Sequence, residues 1–486
     1  MLKDFKIDEF KNIYENEKRS DLGKELAYYQ RICMEENIPV IIMIEGWESS
    51  GKGYVLNDLV RELDTKNYKV SIFKDLKDND DYFYTHQFWE HMPAKGHFAI
   101  FDCSMYYHMF NDLNSNEDIE KIRIKQIMNL EKILYDDHTI LIKFFLHQSK
   151  KRQKKAIEEY IKSDSRKFLV SEEDIDQNQR YEDYLNHFDL LLSQTDFDIA
   201  PWNIVSSENR KSASKYILGK TLEIVKSQID YIRQRRKAEE SWKHSDKNIP
   251  DIIGSLDLDK GLDEKEYKNQ IKDLQKKAGD LAYSLHTKGI PAVLVFEGQD
   301  ASGKGGAIQR LLRRIDARSY SINPTSAPSD LEKDHHYLWR FYNNLPKDGY
   351  IAVFDRSWYG RVMVERVEGF ANEFEWSRAY REINDMEKEL TDYGALVIKY
   401  LIVISKEEQE ERFKKRQKEK PYKITEEDWR NREKWDDYVL AINEMLYNTN
   451  TSHAPWKVIE GNDKKYARVE VLKEFIKRAE EILKEN

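Results

Sequence analysis

An apolar run that feeds into a glycine-rich turn occurs twice in this chain, and the pairing restricts the fold more than any other feature of the sequence. Pro39-Val-Ile-Ile-Met-Ile-Glu45 leads into Gly46-Trp-Glu48-Ser-Ser-Gly51-Lys52-Gly53, and Val293-Leu-Val-Phe-Glu297 leads into Gly298-Gln-Asp300-Ala-Ser-Gly303-Lys304-Gly305-Gly306. Each reads as a buried strand, a G-x-x-x-x-G-K turn and the start of a helix. Two more landmarks repeat in the same order: Phe98-Ala-Ile-Phe-Asp102 with Ile351-Ala-Val-Phe-Asp355, and Ala200-Pro-Trp202 with Ala454-Pro-Trp456. Three landmarks in register at a shift of about 253 residues mean that a whole domain is duplicated.

In the second copy, strand-like runs at Ala292 to Glu297, Tyr350 to Phe354 and Ala395 to Ile404 alternate with longer helical patterns. Such alternation implies an α/β fold in which a parallel sheet is flanked by helices. The glycine turn and Asp355 both end predicted strands, where an open α/β sheet collects ligands. The charged stretch around Arg233 to Lys247, with Pro250 and Gly254 after it, marks the boundary. The expected division is a first domain over 1–235, a linker over 236–260 and a second domain over 261–486.

Composition narrows the class. Forty per cent apolar residues suit a folded protein, and 80 basic against 89 acidic residues give a net charge of −9. That balance argues against a nucleic-acid binder driven by global charge. Cys33 and Cys103 are the only cysteines, with no C-x-x-C or zinc spacing, so a reducing cytoplasm is expected. Neither a signal-peptide core nor a membrane-spanning run is read in the sequence, and no membrane association is expected.

The chemistry concentrates in the second copy. Backbone N–H groups of the turn at Gly298, Gly303, Gly305 and Gly306 cradle phosphate, and Lys304 reaches a phosphate oxygen as a point charge. Gly305 stands where such loops usually carry a Ser or Thr, so a metal must find other oxygens; Asp300 and Asp355 are the candidates. For Asp355 alone, helix capping would be the plainer reading. Arg356 and Arg361 beside it have the planar fork that grips phosphate. After the last strand, Ser405 with Glu408 forms a capping box, and Pro421 ends the helix it starts. Much of that helix is a solvated face with pairs such as Glu408 and Arg412. Its basic run through Arg412, Arg416 and Lys423 can nevertheless close over phosphates as a lid. Trp429, Trp435, Tyr438 and Trp456 read as packing residues.

With these motifs in place the sequence resembles the polyphosphate kinase 2 family, and within it the two-domain polyphosphate:AMP phosphotransferases. The resemblance rests on Glu297 to Gly306, Leu338-Trp-Arg340, Phe354-Asp-Arg-Ser-Trp-Tyr-Gly-Arg361, Val364-Glu-Arg-Val-Glu-Gly369, Glu382-Ile-Asn384, Glu426-Glu-Asp-Trp-Arg430 and Ala454-Pro-Trp456. It implies two tandem P-loop kinase-like domains with a helical lid, Mg²⁺, and phosphoryl transfer from inorganic polyphosphate to AMP. By the same resemblance Asp300 and Asp355 bind the metal, and Lys304, Arg356 and Arg361 hold phosphate near the reaction centre. Arg412, Arg416 and Lys423 fall at lid positions and neutralise the moving group.

The first copy departs where the chemistry lies. Asp300 becomes Glu48, Gly306 becomes Tyr54, Arg356 becomes Cys103 and Arg361 becomes His108. It is expected to be a degenerate, inactive partner domain. Alternatives remain open at this stage: a kinase of the same fold that uses ATP as donor, polyphosphate-dependent phosphorylation of ADP or GMP, or a polyphosphate-binding scaffold. Oligomeric state is open too, and a homo-oligomer is compatible with the sequence.

Overall fold

The computed structural model describes residues 1–73, 82–244, 248–419 and 426–485, with the backbone alone for 426–428. Two compact units divide the chain, the first holding most of residues 1–237 together with Asp330–His336, the second most of the remainder. The first unit carries strands β1 (Val40–Gly46), β2 (Tyr68–Ile72), β3 (Phe98–Asp102), β4 (Ile140–His147) and β5 (Trp202–Ser206). The second carries β6 (Ala292–Gly298), β7 (Tyr320–Pro324), β8 (Ile351–Asp355), β9 (Leu396–Val403) and β10 (Trp456–Glu460). Both sheets have the same strand order, β2-β3-β1-β4-β5 and β7-β8-β6-β9-β10, and every strand pair is parallel.

The expected α/β architecture is therefore present twice. β1 and β6 lie at the sheet centres and are buried on both faces, which is why their sequences are unbroken apolar runs rather than alternating ones. From the centre the chain goes out to the far edge, returns to the adjacent strand, then crosses to the other side. That reversal leaves a crevice beyond the carboxyl ends of β6 and β8. Phe296 pairs with Asp355 there, and Gly298 pairs with Ile402 on the other flank. The glycine turn and the second acid are thus set on neighbouring strands.

In each unit a helix follows the turn directly: Lys52–Val60 in the first, Lys304–Leu311 in the second. One core in the second unit joins β6, β8 and β9 to the helices Glu264–Thr287 and Lys464–Glu485. The edge strands β7 and β10, which the sequence did not declare, complete that sheet; β7 is largely half-buried or exposed. The helix Arg210–Ser241 runs through the opening residues of the segment expected to be linker, so that segment begins as helix. Among the described residues no helix is long and apolar enough to cross a membrane.

The Ala-Pro-Trp landmark has a structural explanation. Behind β9, the fully buried Lys399 ammonium donates to Glu387 (2.7 Å), to the Tyr359 hydroxyl (2.9 Å) and to the Thr449 carbonyl (2.7 Å). Trp456 covers it at 5.0 Å and donates its indole N–H to the Thr449 hydroxyl. The first unit repeats this with Lys143, Glu131, Tyr106, Thr195 and Trp202. Trp456 packs, as expected.

Candidate functional site

The turn after β6 takes its shape from residues that cannot be exchanged freely. Gly298 has φ +141°, and a Cβ there would collide with the Ile402 carbonyl of β9, so β6 can lie this close to β9 only with glycine at its end. Gly303 has φ +113° and Ala301 φ +62°, the latter a left-handed backbone that a residue with a Cβ adopts only when its surroundings hold it there. Among the described residues beyond its own helix turn, the one atom within 4 Å of a Cβ at Gly305 is Asp355 Oδ2, at 4.0 Å. The acid that ends β8 therefore faces the start of the loop helix.

Four of the expected residues converge at this point. Arg356 Nη2 donates to Asp300 Oδ1 at 2.6 Å, and Asn431 Nδ2 donates to Asp300 Oδ2 at 3.0 Å. Burial pushes the Asp300 carboxyl up, but the charges of Arg356 and Lys304 outweigh it and leave the group below the usual carboxylate range. Lys304 Nζ bonds the Gly298 carbonyl at 2.7 Å and the Gln299 carbonyl at 3.4 Å. It makes no ion pair among the described residues, because Arg356 draws Asp300 away. Burial pulls Lys304 below the ordinary lysine value, against the pull of Asp300, with Arg356 adding to the fall. Arg356 itself sits at φ +64° directly after β8. Thr325, just past β7, fixes that corner by donating its hydroxyl to the Arg356 carbonyl (2.8 Å) and its N–H to the Asp355 carbonyl (3.0 Å).

The remaining expected residues divide. Arg361 has other partners: it donates to Glu365 at 2.6 Å, lies 3.8 Å from Glu375 and stacks on Tyr337. Arg412, expected to meet the moving phosphate, has its guanidinium fully engaged in protein contacts. It is 5% exposed and bonds Glu408, the carbonyls of Ala301 and Ser302, and the carbonyls of Gly461 and Asn462. A guanidinium has five N–H groups, and all five are used. Glu408 thus serves Arg412 rather than the capping box. The Ser405 hydroxyl still accepts from Glu408 N–H (3.1 Å), while Ser405 N–H goes to Asn462 (3.0 Å). Arg416 has no ion pair among the described residues. Lys423 and the helix end at Pro421 lie outside the described residues.

Several residues at the site were not anticipated. Asn431 comes from the helix Glu426–Glu433, and Gln409 holds the Asp300 carbonyl at 3.1 Å. Lys464 and Arg468 sit in the first turns of the last helix. Arg468 Nη2 lies 3.4 Å from where a Cβ on Gly306 would be. Burial, then the charges of Arg412, Lys415 and Arg416, lower Lys464. A crowd of like charges beside a phosphate-type loop favours a bound polyanion.

The first unit has the same backbone with different electrostatics. Ser49 (φ +58°) and Cys103 (φ +59°) adopt the left-handed conformations of Ala301 and Arg356. With no arginine at position 103 to compete, Glu48 closes on Lys52 at 2.9 Å. Despite burial, that carboxylate holds the Lys52 ammonium above its ordinary value. Gln177 accepts from Glu48 N–H at 2.9 Å, and Asp174 accepts from the Ser49 hydroxyl, so side chains of the protein occupy this loop.

Comparison with known proteins agrees with this architecture. The family model described as polyphosphate kinase 2 matches the chain twice, over residues 9–236 and 261–486. A polyphosphate:AMP phosphotransferase of Pseudomonas aeruginosa is 37% identical over 90% of this chain and 90% of its own length. A protein of the same name from Pseudomonas syringae pv. tomato is 35% identical over 89% of each. A crystal structure described as polyphosphate kinase 2 from P. aeruginosa superposes with a TM-score of 0.83 at 34% identity, covering 98% of this chain and 97% of that one. Matched in both halves and along nearly the whole length of its relatives, the chain belongs to the polyphosphate kinase 2 family.

Proposed function

We infer that the protein transfers a phosphoryl group from inorganic polyphosphate to AMP, giving ADP and a polyphosphate shorter by one residue, and that the second unit performs the reaction. The observation that carries this reading is the state of Lys304: a buried ammonium in a glycine loop, bonded among the described residues only to carbonyls, with the Asp300 carboxylate bonded to Arg356. Such a charge is best satisfied by an anion. The acceptor is taken from the relatives named polyphosphate:AMP phosphotransferase, which this chain matches along nearly its full length.

In the reaction a phosphoanhydride P–O bond breaks, the departing chain keeps the electron pair, and an oxygen of the AMP phosphate forms the new P–O bond. Both partners are anions, so catalysis needs alignment and neutralisation of charge more than covalent chemistry. Lys304 and the loop amides hold the transferring group, Arg356 neutralises it, and Arg416, Lys464 and Arg468 draw in the rest of the polyphosphate. Asp300 and Asp355 are the residues that would hold Mg²⁺. The Asp355 carboxylate has no side-chain partner among the described residues, and each Asp300 oxygen accepts one bond of the two it can take. No cluster of three or more metal-ligating side chains occurs among the described residues, which fits an ion that takes one or two carboxylates and completes its shell with water and substrate phosphate. When bound, Mg²⁺ supplies neutralisation of phosphate oxygens.

The first unit is read as catalytically silent, its lysine being neutralised internally. Both cysteines are free and buried, which suits work in a reducing cytoplasm. The test is an end-point assay of the purified protein with Mg²⁺, with polyphosphate or ATP as donor and each of AMP, GMP and ADP as acceptor, resolved by nucleotide chromatography. ADP from AMP is expected; activity only with ATP as donor would overturn the reading.

A further inference from the structure

We propose that Arg412 is a positioning residue: it holds the glycine loop in its phosphate-binding shape from behind and does not itself contact polyphosphate. The inference rests on the reading of the second unit as the catalytic one. One helix, Lys406–Glu419, pins three successive carbonyls of the loop. Gln409 bonds the Asp300 carbonyl at 3.1 Å, and Arg412 Nη1 bonds those of Ala301 and Ser302, each at 2.8 Å. Across a planar trans peptide the N–H points opposite to the C=O. Fixing these carbonyls toward the helix turns the amides of Ala301 and Gly303 to the other side, where an anion would sit, while the Ser302 amide closes the turn on the Gln299 carbonyl at 3.0 Å.

The other nitrogen anchors the clamp. Arg412 Nη2 bonds the Gly461 and Asn462 carbonyls at 2.7 and 2.8 Å, so the loop is tied to the corner between β10 and the last helix. The clamp bonds the carbonyl of Ala301, which lies at φ +62°; in the first unit Ser49 keeps φ +58° without the arginine, its hydroxyl held by Asp174. The chain contains its own comparison. In the first unit Gln153 bonds the Glu48 carbonyl at 3.2 Å, as Gln409 does for Asp300. Three residues on from Gln153 stands the buried Ala156, which has no donor to offer. The copy that has lost Arg356 has lost the clamp as well.

The test is hydrogen exchange of the ligand-free full-length chain, alongside kinetics. Arg412→Ala should accelerate amide exchange in the loop from Gln299 to Gly305 while β6, β8 and β9 stay protected, and kcat/KM should fall by roughly 100-fold. Arg412→Lys should resemble Arg412→Ala, because an ammonium brings three donors where five are used. Added guanidinium should restore part of both losses in Arg412→Ala. A ligand-free loop that exchanges as in the parent protein, with polyphosphate affinity lost, would mean direct contact and would overturn the proposal. Should Arg412→Ala fail to fold, Arg412→Lys carries the same two outcomes. Exchange is read without substrate, so a loosened loop in a protein that makes no ADP would refute the functional reading and leave the clamp standing.

Discussion

Lys52 and Lys304 occupy the same place in the same loop and meet opposite surroundings. In the first unit, where Glu48 stands for Asp300 and Cys103 for Arg356, an internal ion pair closes on Lys52. In the second, Arg356 competes for Asp300 and leaves the lysine open. Lys304→Ala should therefore lower ADP formation by roughly a thousandfold or more, whereas Lys52→Ala should leave turnover within about twofold; a steady-state assay of both variants decides. A second residue-scale prediction concerns Glu45, whose buried carboxyl is pushed up to about 7 from 4.5, burial outweighing Lys52 and the Ser104 hydrogen bonds. The folded state then binds more protons than the unfolded one between these values, so stability falls as pH rises across that window. Glu45→Gln should match the parent near pH ~4.5 and exceed it near pH ~8, as read by urea denaturation.

At the scale of elements, what was legible and what was not follows from the range of the forces involved. The central strands announced themselves because burial on both faces demands continuous apolar residues. β7 and β10 did not, since five-residue edge strands such as Tyr320–Pro324 and Trp456–Glu460 carry too little pattern to separate from loop. Of the five bonds that Arg412 makes, the sequence foretold only the one to Glu408, four residues away. The other four go to carbonyls 49 to 111 residues distant. Asn431, Lys464 and Arg468 were missed for the same reason: nothing local marks a polar side chain as facing a loop more than 100 residues earlier. The junction of β6 with the glycine turn supplies a prediction here. Gly298→Ala must relieve both a positive φ and a collision with the Ile402 carbonyl, so it should cost about 3 kcal/mol, measured by chemical denaturation.

Over the whole molecule, one fold has been used twice with its scaffold kept and its site changed. The Lys399, Glu387, Tyr359 and Trp456 network recurs as Lys143, Glu131, Tyr106 and Trp202, while the loop residues have diverged. Removing one partner of a buried pair leaves the other charge uncompensated. Lys399→Ala and Lys143→Ala should each destabilise by about 3–5 kcal/mol, with the loss localised by hydrogen exchange to the unit that carries the change. Similar losses in both units are expected if the network maintains architecture; a loss confined to the second would tie it to the site instead.

The amino-acid order by itself determined the duplication, the strand, turn and helix of each copy, and the identity of the acids and the lysine at the strand ends, because these are written in patterns a few residues long. Only the tertiary structure decided which of those charges are paired internally and which are not. Pairing depends on distances of a few ångströms between residues far apart in the chain: Arg356 reaches Asp300 across 56 positions, and Arg412 reaches Ala301 across 111. Such distances exist only once the sheet has formed.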